Sequence, residues 1–345
     1  MGTPLTQRIL EEYAGFARTL GTRDVAAARR QAAIAALSAT GLPSTREEDW
    51  RYANLRPLER QRFTPAGTTP AGTALAQALP LLPASFPDFA RCVFVDGLAS
   101  ATTSPSAATS SAAFDAPGAT LTWLAEDAGE VDASVVARGG GDGEAADNHR
   151  LALLNDAFAT GGLGIRVPAG TAQPVRLEVL FLASAEALAG ASYPRLQISL
   201  DPGASLILVE RHLSVATVAS FVASAVTVEL GRGASLEHYR LQELNGRCIL
   251  FDTLSAQLAQ EAHYRLHAIG SGAFSSRSTL VVRLAGERAQ LTLAVAALGE
   301  RHQVQDTFAR VDHAAPRART VETFRGIAAD RSRVAFNGKI VVGRD

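Results

Sequence analysis

Three things that would name a chemistry outright are scarce in this sequence: thiols, lysine and long apolar runs. The two cysteines, Cys92 and Cys248, stand far apart in 345 residues. That argues against a disulfide framework and fits a reducing compartment. A metal–sulfur cluster normally takes four thiolates, which this chain alone cannot supply. Both cysteines lie in apolar runs, CVFVDG and RCILFD, and read as small buried hydrophobes. The one lysine, Lys339, is followed by Ile340, so no phosphate-cradling G-x-x-x-x-G-K-[ST] exists. Gly161-Gly162-Leu163-Gly164 does not make G-x-G-x-x-G either, and no G-x-S-x-G offers a nucleophile. The chain is not expected to hydrolyse ATP. No apolar run approaches a membrane span, and the N-terminus has no hydrophobic signal core. A cytoplasmic protein with no membrane partner is the expectation. The net charge of −1, without a basic tract carrying interleaved aromatics, gives no footprint for nucleic acid.

What is present is a repeat. ISLDPGASLIL, VELGRGASLEH, AQLAQEAHYRL and VVRLAGERAQLTL share one pattern, with Ala204, Ala234, Ala262 and Ala289 equivalent and spaced by 27–30 residues. A period in that range marks a stacked solenoid. Two residues past each alanine stand Leu206, Leu236, Tyr264 and Leu291, and two further stand Leu208, His238, Leu266 and Leu293. Alternate residues of a strand share a face, so these columns line an interior. The column between them, Ile207, Glu237, Arg265 and Thr292, is mostly polar and faces out. The fold predicted is mainly β, a parallel β-helix, with an antiparallel β-sandwich as the alternative that alternation alone also allows.

Before the repeat the sequence predicts a small helical domain over 1–62. Its first helix carries the stripe Leu5, Ile9, Tyr13, Phe16 and Leu20. The second runs from a cap at Asp24 to Ser38, with Gly41 as its stop. Ser44 and Glu47 have capping-box spacing and open REEDWRYANLRPL, in which Trp50 and Tyr52 read as packing anchors. Residues 63–148 read as linker and mixed α/β structure. Within them 64–85 and 100–118 form loops, CVFVDG is a strand and turn, Leu121–Val136 is a short acidic helix, and Gly139–Gly143 is flexible. The β-helix core spans 149–345, opening with a helix over His149–Thr160. Turns are expected at Ala314–Pro316, Asp330–Ser332 and Asn337-Gly338, with a last strand at Lys339–Val342. A solenoid normally closes with a polar-faced cap. None is visible, so the natural protein is expected to continue past Asp345.

The polar candidates are few. His263 and His267 share a strand face but lie ~13 Å apart, too far for one ion. His238 falls in an inward column and reads as a core histidine with one partner. His302, Asp306, Asp312 and His313 form the densest polar group and read either as a cross-coil cluster or as solvated turn residues. Many β-helices act on polysaccharides, and such an enzyme is the alternative function. It would need a catalytic base on an outer wall, where Arg265 is the only basic candidate and no acidic ladder accompanies it.

Three stretches carry a family resemblance: GLPSTREEDWRYANLRPL at 41–58, CVFVDG at 92–97, and DTFARVDHAAPRARTVETFRGIAADRSRVAFNGKIVV at 306–342. The chain resembles the SufB/SufD family of the SUF iron–sulfur cluster assembly system, nearer its SufD-type members. The last stretch is similar to the family's late β-helix motif at Asp306, Thr307, His313, Gly326, Phe336, Gly338 and Ile340. With His302, the positions Asp306, His313, Phe336 and Gly338 are the candidate family-motif residues. The resemblance implies a right-handed parallel β-helix after a helical domain. It implies a non-catalytic scaffold, linked to iron supply, that pairs through the end of its β-helix with a SufB-like paralogue; the exposed edge of an open solenoid end separately allows pairing with a second copy. A SufC-like ABC ATPase would dock on a C-terminal helical domain beyond Asp345. No cofactor would be bound by this chain alone. The iron–sulfur cluster would form transiently in the complex, and ATP would sit on the ATPase.

Overall fold

The computed structural model describes residues 3–20, 24, 26–53, 55–65, 79–99, 116–124, 148–184, 190–214 and 217–343. Helix α1 (Pro4–Ala17) starts where the Thr3 hydroxyl accepts from the Thr6 amide and Pro4 takes the first turn, where its missing N–H costs nothing. It buries Leu5, Ile9 and Phe16. Helix α2 (Ala27–Thr40) stops at Gly41, whose φ of +71° lets the chain turn away. REEDWRYANLRPL is not one helix. Glu47 accepts from the Ser44 amide, as the capping spacing predicts, but only a 3₁₀ turn follows (Glu48–Trp50) before α3 (Arg56–Arg60). Pro57 is the reason: it fits the first turn of a helix and not the interior of one begun at Glu48. Helix α4 (Ala152–Phe158) is shorter than the sequence suggests.

The strands run β1 (Thr64–Pro65), β2 (Ala90–Val95), β3 (Leu98–Ala99), β4 (Thr120–Trp123), β5 (Leu163–Val167) and β6 (Val175–Ala183). There follow β7 (Gly190–Ser192), β8 (Arg195–Leu200), β9 (Ser205–Ser214), β10 (Ser220–Leu230), β11 (Ser235–Leu244) and β12 (Ile249–Leu258). The last are β13 (His263–Gly272), β14 (Ser275–Leu284), β15 (Gln290–Gly299), β16 (Val304–His313), β17 (Arg319–Ala328) and β18 (Arg333–Val342). They build two sheets, ordered β18-β16-β14-β12-β10-β8-β5-β4 and β17-β15-β13-β11-β9-β6-β2-β3. From β8 to β18 successive strands alternate between the sheets, and each pairs in parallel with the strand one coil away. This is a β-solenoid, and the antiparallel sandwich is excluded. The sheets also take in β2, β3 and β4, so the stretch read as linker and mixed structure supplies their first strands.

The repeat register holds residue by residue. Leu206, Leu236, Tyr264 and Leu291 are mutual partners across four coils, as are Leu208, His238, Leu266 and Leu293. All eight are buried in the interior. The aligned alanines are buried at the coil corner, where a larger side chain would not fit beside the neighbouring turn. The residue before each takes a left-handed conformation: Gly203, Gly233, Glu261 and Arg288, followed by Arg317 before Ala318 in a fifth copy. The peptide groups of these turns bond from coil to coil, Gly203 to Arg232, Gly233 to Gln260 and Glu261 to Glu287, each at 2.9 Å.

Three local readings change. Asn337-Gly338 is not a turn but lies inside β18, which pairs with β16 over ten residues and so begins at Arg333, not Lys339. Residues 120–123 are a strand paired with β5, not the start of an acidic helix, and 125–136 fall outside the described residues. The flexible run at 139–143, most of the 100–118 excursion and 66–78 also fall outside them.

The helices cover the outer face of the first sheet. Arg30 of α2 is buried, with its Nε on Asp24 at 3.1 Å and its Nη1 on the Ala157 carbonyl at 2.9 Å. The Asn155 amide of α4 donates to the Pro194 and Ala223 carbonyls at 2.7 and 2.8 Å, and Arg195 returns bonds to Asn155 and Asp156. Trp50 is the packing anchor the sequence suggests. It is buried, with the Arg277 guanidinium 4.4 Å from its ring centroid. Tyr52 is exposed.

Candidate functional site

Along β9 the inward column that begins with Leu206 and Leu208 continues to Glu210 and His212, and along β11 it continues to His238 and Arg240. Parity therefore carries four polar side chains into the interior behind the apolar half of the coil. The Glu210 carboxylate accepts from His212 Nε2 at 2.6 Å, His238 Nε2 at 3.0 Å, and Arg240 Nε and Nη2 at 2.9 and 2.7 Å. All four of its acceptor sites are thus used. Arg240 reaches across to the other sheet and grips Asp252 of β12, with Nη2 to Oδ1 at 2.8 Å. Since His238 Nε2 donates to Glu210, its Nδ1 accepts, and the Tyr264 hydroxyl supplies the proton at 3.1 Å.

Electrostatics follow from this wiring. Burial pushes the Glu210 carboxyl up, but Arg240 and the hydrogen bonds from His212 and His238 outweigh it and hold the group well below the usual carboxylate range. Burial lowers His238, with Glu210 opposing, so the imidazole stays neutral. Burial also acts against the Arg240 charge, but Asp252 and Glu210 hold its pKa well above normal. Beside this cluster lies a cavity of about 50 Å³ bordered by Arg240, Asp252, Ser276, Ser278, Gln305 and Thr307. It exists because β13 and β15 present Ala268, Gly270 and Ala297 where earlier coils carry long side chains. Such a space suits a few water molecules among polar groups. The cluster can hold charge and relay a proton, but it offers no nucleophile. Arg240 fills the place between Glu210 and Asp252 that a cation would take. Among the described residues no group of three or more His, Cys, Asp or Glu is arranged to hold a metal.

The positions named from the sequence do not converge. His302 is exposed in the turn before β16. Asp306 is buried on the outer face of β16, ion-paired with Arg277 beneath Trp50. Asp312 lies six residues along the same strand, ~20 Å away, and accepts from Arg310 Nε at 2.8 Å. His313 is half-buried, with Nε2 2.9 Å from the Thr320 hydroxyl. Phe336 is inward-facing in β18 and stacks on Phe324 with centroids 5.1 Å apart. Gly338 follows it; a Cβ there would come within 3.1 Å of Glu322 and of the Phe336 ring. His238 is a core histidine with two polar partners rather than one. Glu210, Arg240 and Asp252 were not legible as a site. The signal was the alternation itself, carried two residues beyond the columns that show apolar groups.

Both thiols are buried. Burial pushes the Cys92 thiol up to about 12, and Cys248 Sγ lies 2.9 Å from Ser220 Oγ and 3.2 Å from Ser214 Oγ.

Comparison with known proteins places the solenoid. Residues 181–345 match the SufBD core domain of the SUF system of iron–sulfur cluster assembly. An iron–sulfur cluster assembly SufBD family protein of Synechocystis sp. is 24% identical over 336 residues, covering 93% of this chain and 71% of that protein. The iron–sulfur cluster assembly protein SufD of Escherichia coli (strain K12) is 24% identical over 346 residues, covering 99% of this chain and 75% of that protein. The matched domain begins in β6 and takes in every later strand of the two sheets, so the solenoid of this chain carries the SufBD core domain of the SUF iron–sulfur cluster assembly system.

Proposed function

We propose that this chain is a SufD-type, non-catalytic scaffold subunit that supports iron–sulfur cluster assembly in the cytoplasm. The observation that carries the reading is the coincidence of the SufBD core match with the solenoid from β6 onward. The interior chemistry agrees with it. The buried Glu210 cluster is saturated by its own members, and both thiols are buried. Among the described residues, no helix is long and apolar enough to cross a membrane. In this reading the cluster is cargo, formed transiently with a SufB-like paralogue that brings the sulfur-accepting thiol. A SufC-like ATPase binds the ATP, and no cofactor resides on this chain. The face toward the paralogue, or toward a second copy, is the coil of β17 and β18. There Val321, Ile327, Ile340 and Val342 are exposed, between 42% and 69% of full accessibility.

Co-expression of the tagged chain with its SufB-like and SufC-like partners tests this. A stable complex after affinity capture and gel filtration is expected; three proteins eluting separately would remove the reading. His313, which ties β16 to β17 through Thr320, is the family-motif residue proposed to act at that end. His313→Ala should lower the cluster content of the complex while leaving the unfolding midpoint of the chain within a few degrees. Unchanged cluster content would count against that role.

A further inference from the structure

Between the N-terminal helical layer and the rim of the solenoid lies an open cleft of about 580 Å³, within the size range of small-molecule sites. Arg51 and Arg56 line one wall, from the 3₁₀ turn and α3; Arg331 and Arg333 line the other, from the β17–β18 turn and the start of β18. All four side chains are exposed, and among the described residues none is ion-paired with a carboxylate. One acidic residue, Glu59, lines the same space. The nearest buried acid, Asp306, is engaged by Arg277. Among the buried arginines, Arg30, Arg195, Arg240 and Arg277 each have a carboxylate partner. Four exposed guanidinium groups line one concavity against a single lining carboxylate, Glu59, with Arg333 also feeling the charge of Asp306, and this leaves a local excess of positive charge in a chain of net charge −1.

We propose that this cleft is a binding site for a small polyanion of the oligophosphate class. Guanidinium forks match phosphate oxygens bidentately, and opposed walls let one ligand with several charged groups bridge both. The concave shape favours a small molecule over an extended chain. The site sits apart from the buried Glu210 cluster and does not depend on the assembly role.

The sequence holds two tryptophans, Trp50 and Trp123, and Trp50 borders the cleft. Trp123→Phe therefore leaves Trp50 as the single fluorescent reporter. Tripolyphosphate titrated into that full-length variant at roughly physiological ionic strength, where exposed charges more than ~8 Å apart are largely screened, should change Trp50 emission saturably. Calorimetry should give the same constant. R331Q/R333Q on one wall and R51Q/R56Q on the other should each weaken binding about tenfold or more, the loss expected when charge-assisted hydrogen bonds go. The four residues are exposed, so both double variants should keep the parent's thermal unfolding; if one did not, the other still decides. Non-saturable titration, an affinity in both double variants equal to that of the Trp123→Phe parent, or tighter binding of an oligonucleotide of matched charge would each overturn the proposal.

Discussion

Burying the Glu210 carboxylate costs several kcal/mol of lost hydration, and the fold offsets that with four hydrogen bonds and the Arg240 charge. Removing one partner leaves the others uncompensated. Glu210→Gln should therefore destabilise the chain by about 3–5 kcal/mol in a urea titration, because it leaves the buried Arg240 with Asp252 alone and takes the charged acceptor from His212 and His238. A loss under about 1 kcal/mol, the scale of an exposed pair, would mean the cluster is solvated. The same residues set a pH dependence. The folded His238 has a pKa below 6.5, so the unfolded chain binds more protons and stability declines as pH falls from 6.5 toward the folded value. Glu210 has a folded pKa well below 4.5, so its contribution is complete above 4.5 and is lost as pH falls through the folded value. Both act in one direction. Stability measured by denaturant titration should be level near pH 7 and fall below 6.5, and His238→Gln should flatten the part of the slope between 6.5 and 4.5. An identical slope in that variant would contradict the assignment. The sequence shows His238 as an interior residue because its column neighbours are leucines. It hides Glu210, because an isolated glutamate in a strand reads as an outward one until its parity is traced.

Among the elements, the coil corner was the most legible, since a small residue must recur there and an alanine does. The left-handed residue before it was not, because glycine fills it only at Gly203 and Gly233, while Glu261, Arg288 and Arg317 accept the same conformation. At Gly203 and Gly233 an added Cβ would meet nothing within 4 Å, so only the backbone opposes substitution. Gly203→Ala and Gly233→Ala should each cost about 0.5–1 kcal/mol, the left-handed penalty less the gain from a stiffer unfolded chain. A stabilised variant in thermal or urea unfolding would show that the corner is not left-handed. The misread at Asn337-Gly338 has the opposite cause. That pair is a strong local hairpin signal, but ten residues of parallel pairing with β16 override it.

At the scale of the molecule, a helical layer, held together by Arg30, is riveted to one face of a two-sheeted solenoid through Asn155, Arg195 and Arg277. The helices and the solenoid were readable separately, from periodicities of 3.6 and 2 and from the repeat. Their joining was not, since it depends on contacts such as Trp50 with Arg277, 227 positions apart in the chain. The polar residues of 302–313 dispersed for a related reason: an extended strand carries same-face residues apart by ~3.3 Å per position and turns alternate ones to the opposite face, so density in sequence does not make a cluster in space. What remains for function is a two-sheeted rod whose Glu210 cluster is satisfied by its own members, which agrees with the proposed scaffold role. The measurement that bears most directly on this is the iron and sulfide content of the SufB-like and SufC-like partners, purified after co-expression with and without this chain. The scaffold account predicts a complex containing all three proteins, with markedly more iron and sulfide than the two partners acquire alone. Equal cluster content with and without the chain, or no association at all, would contradict it.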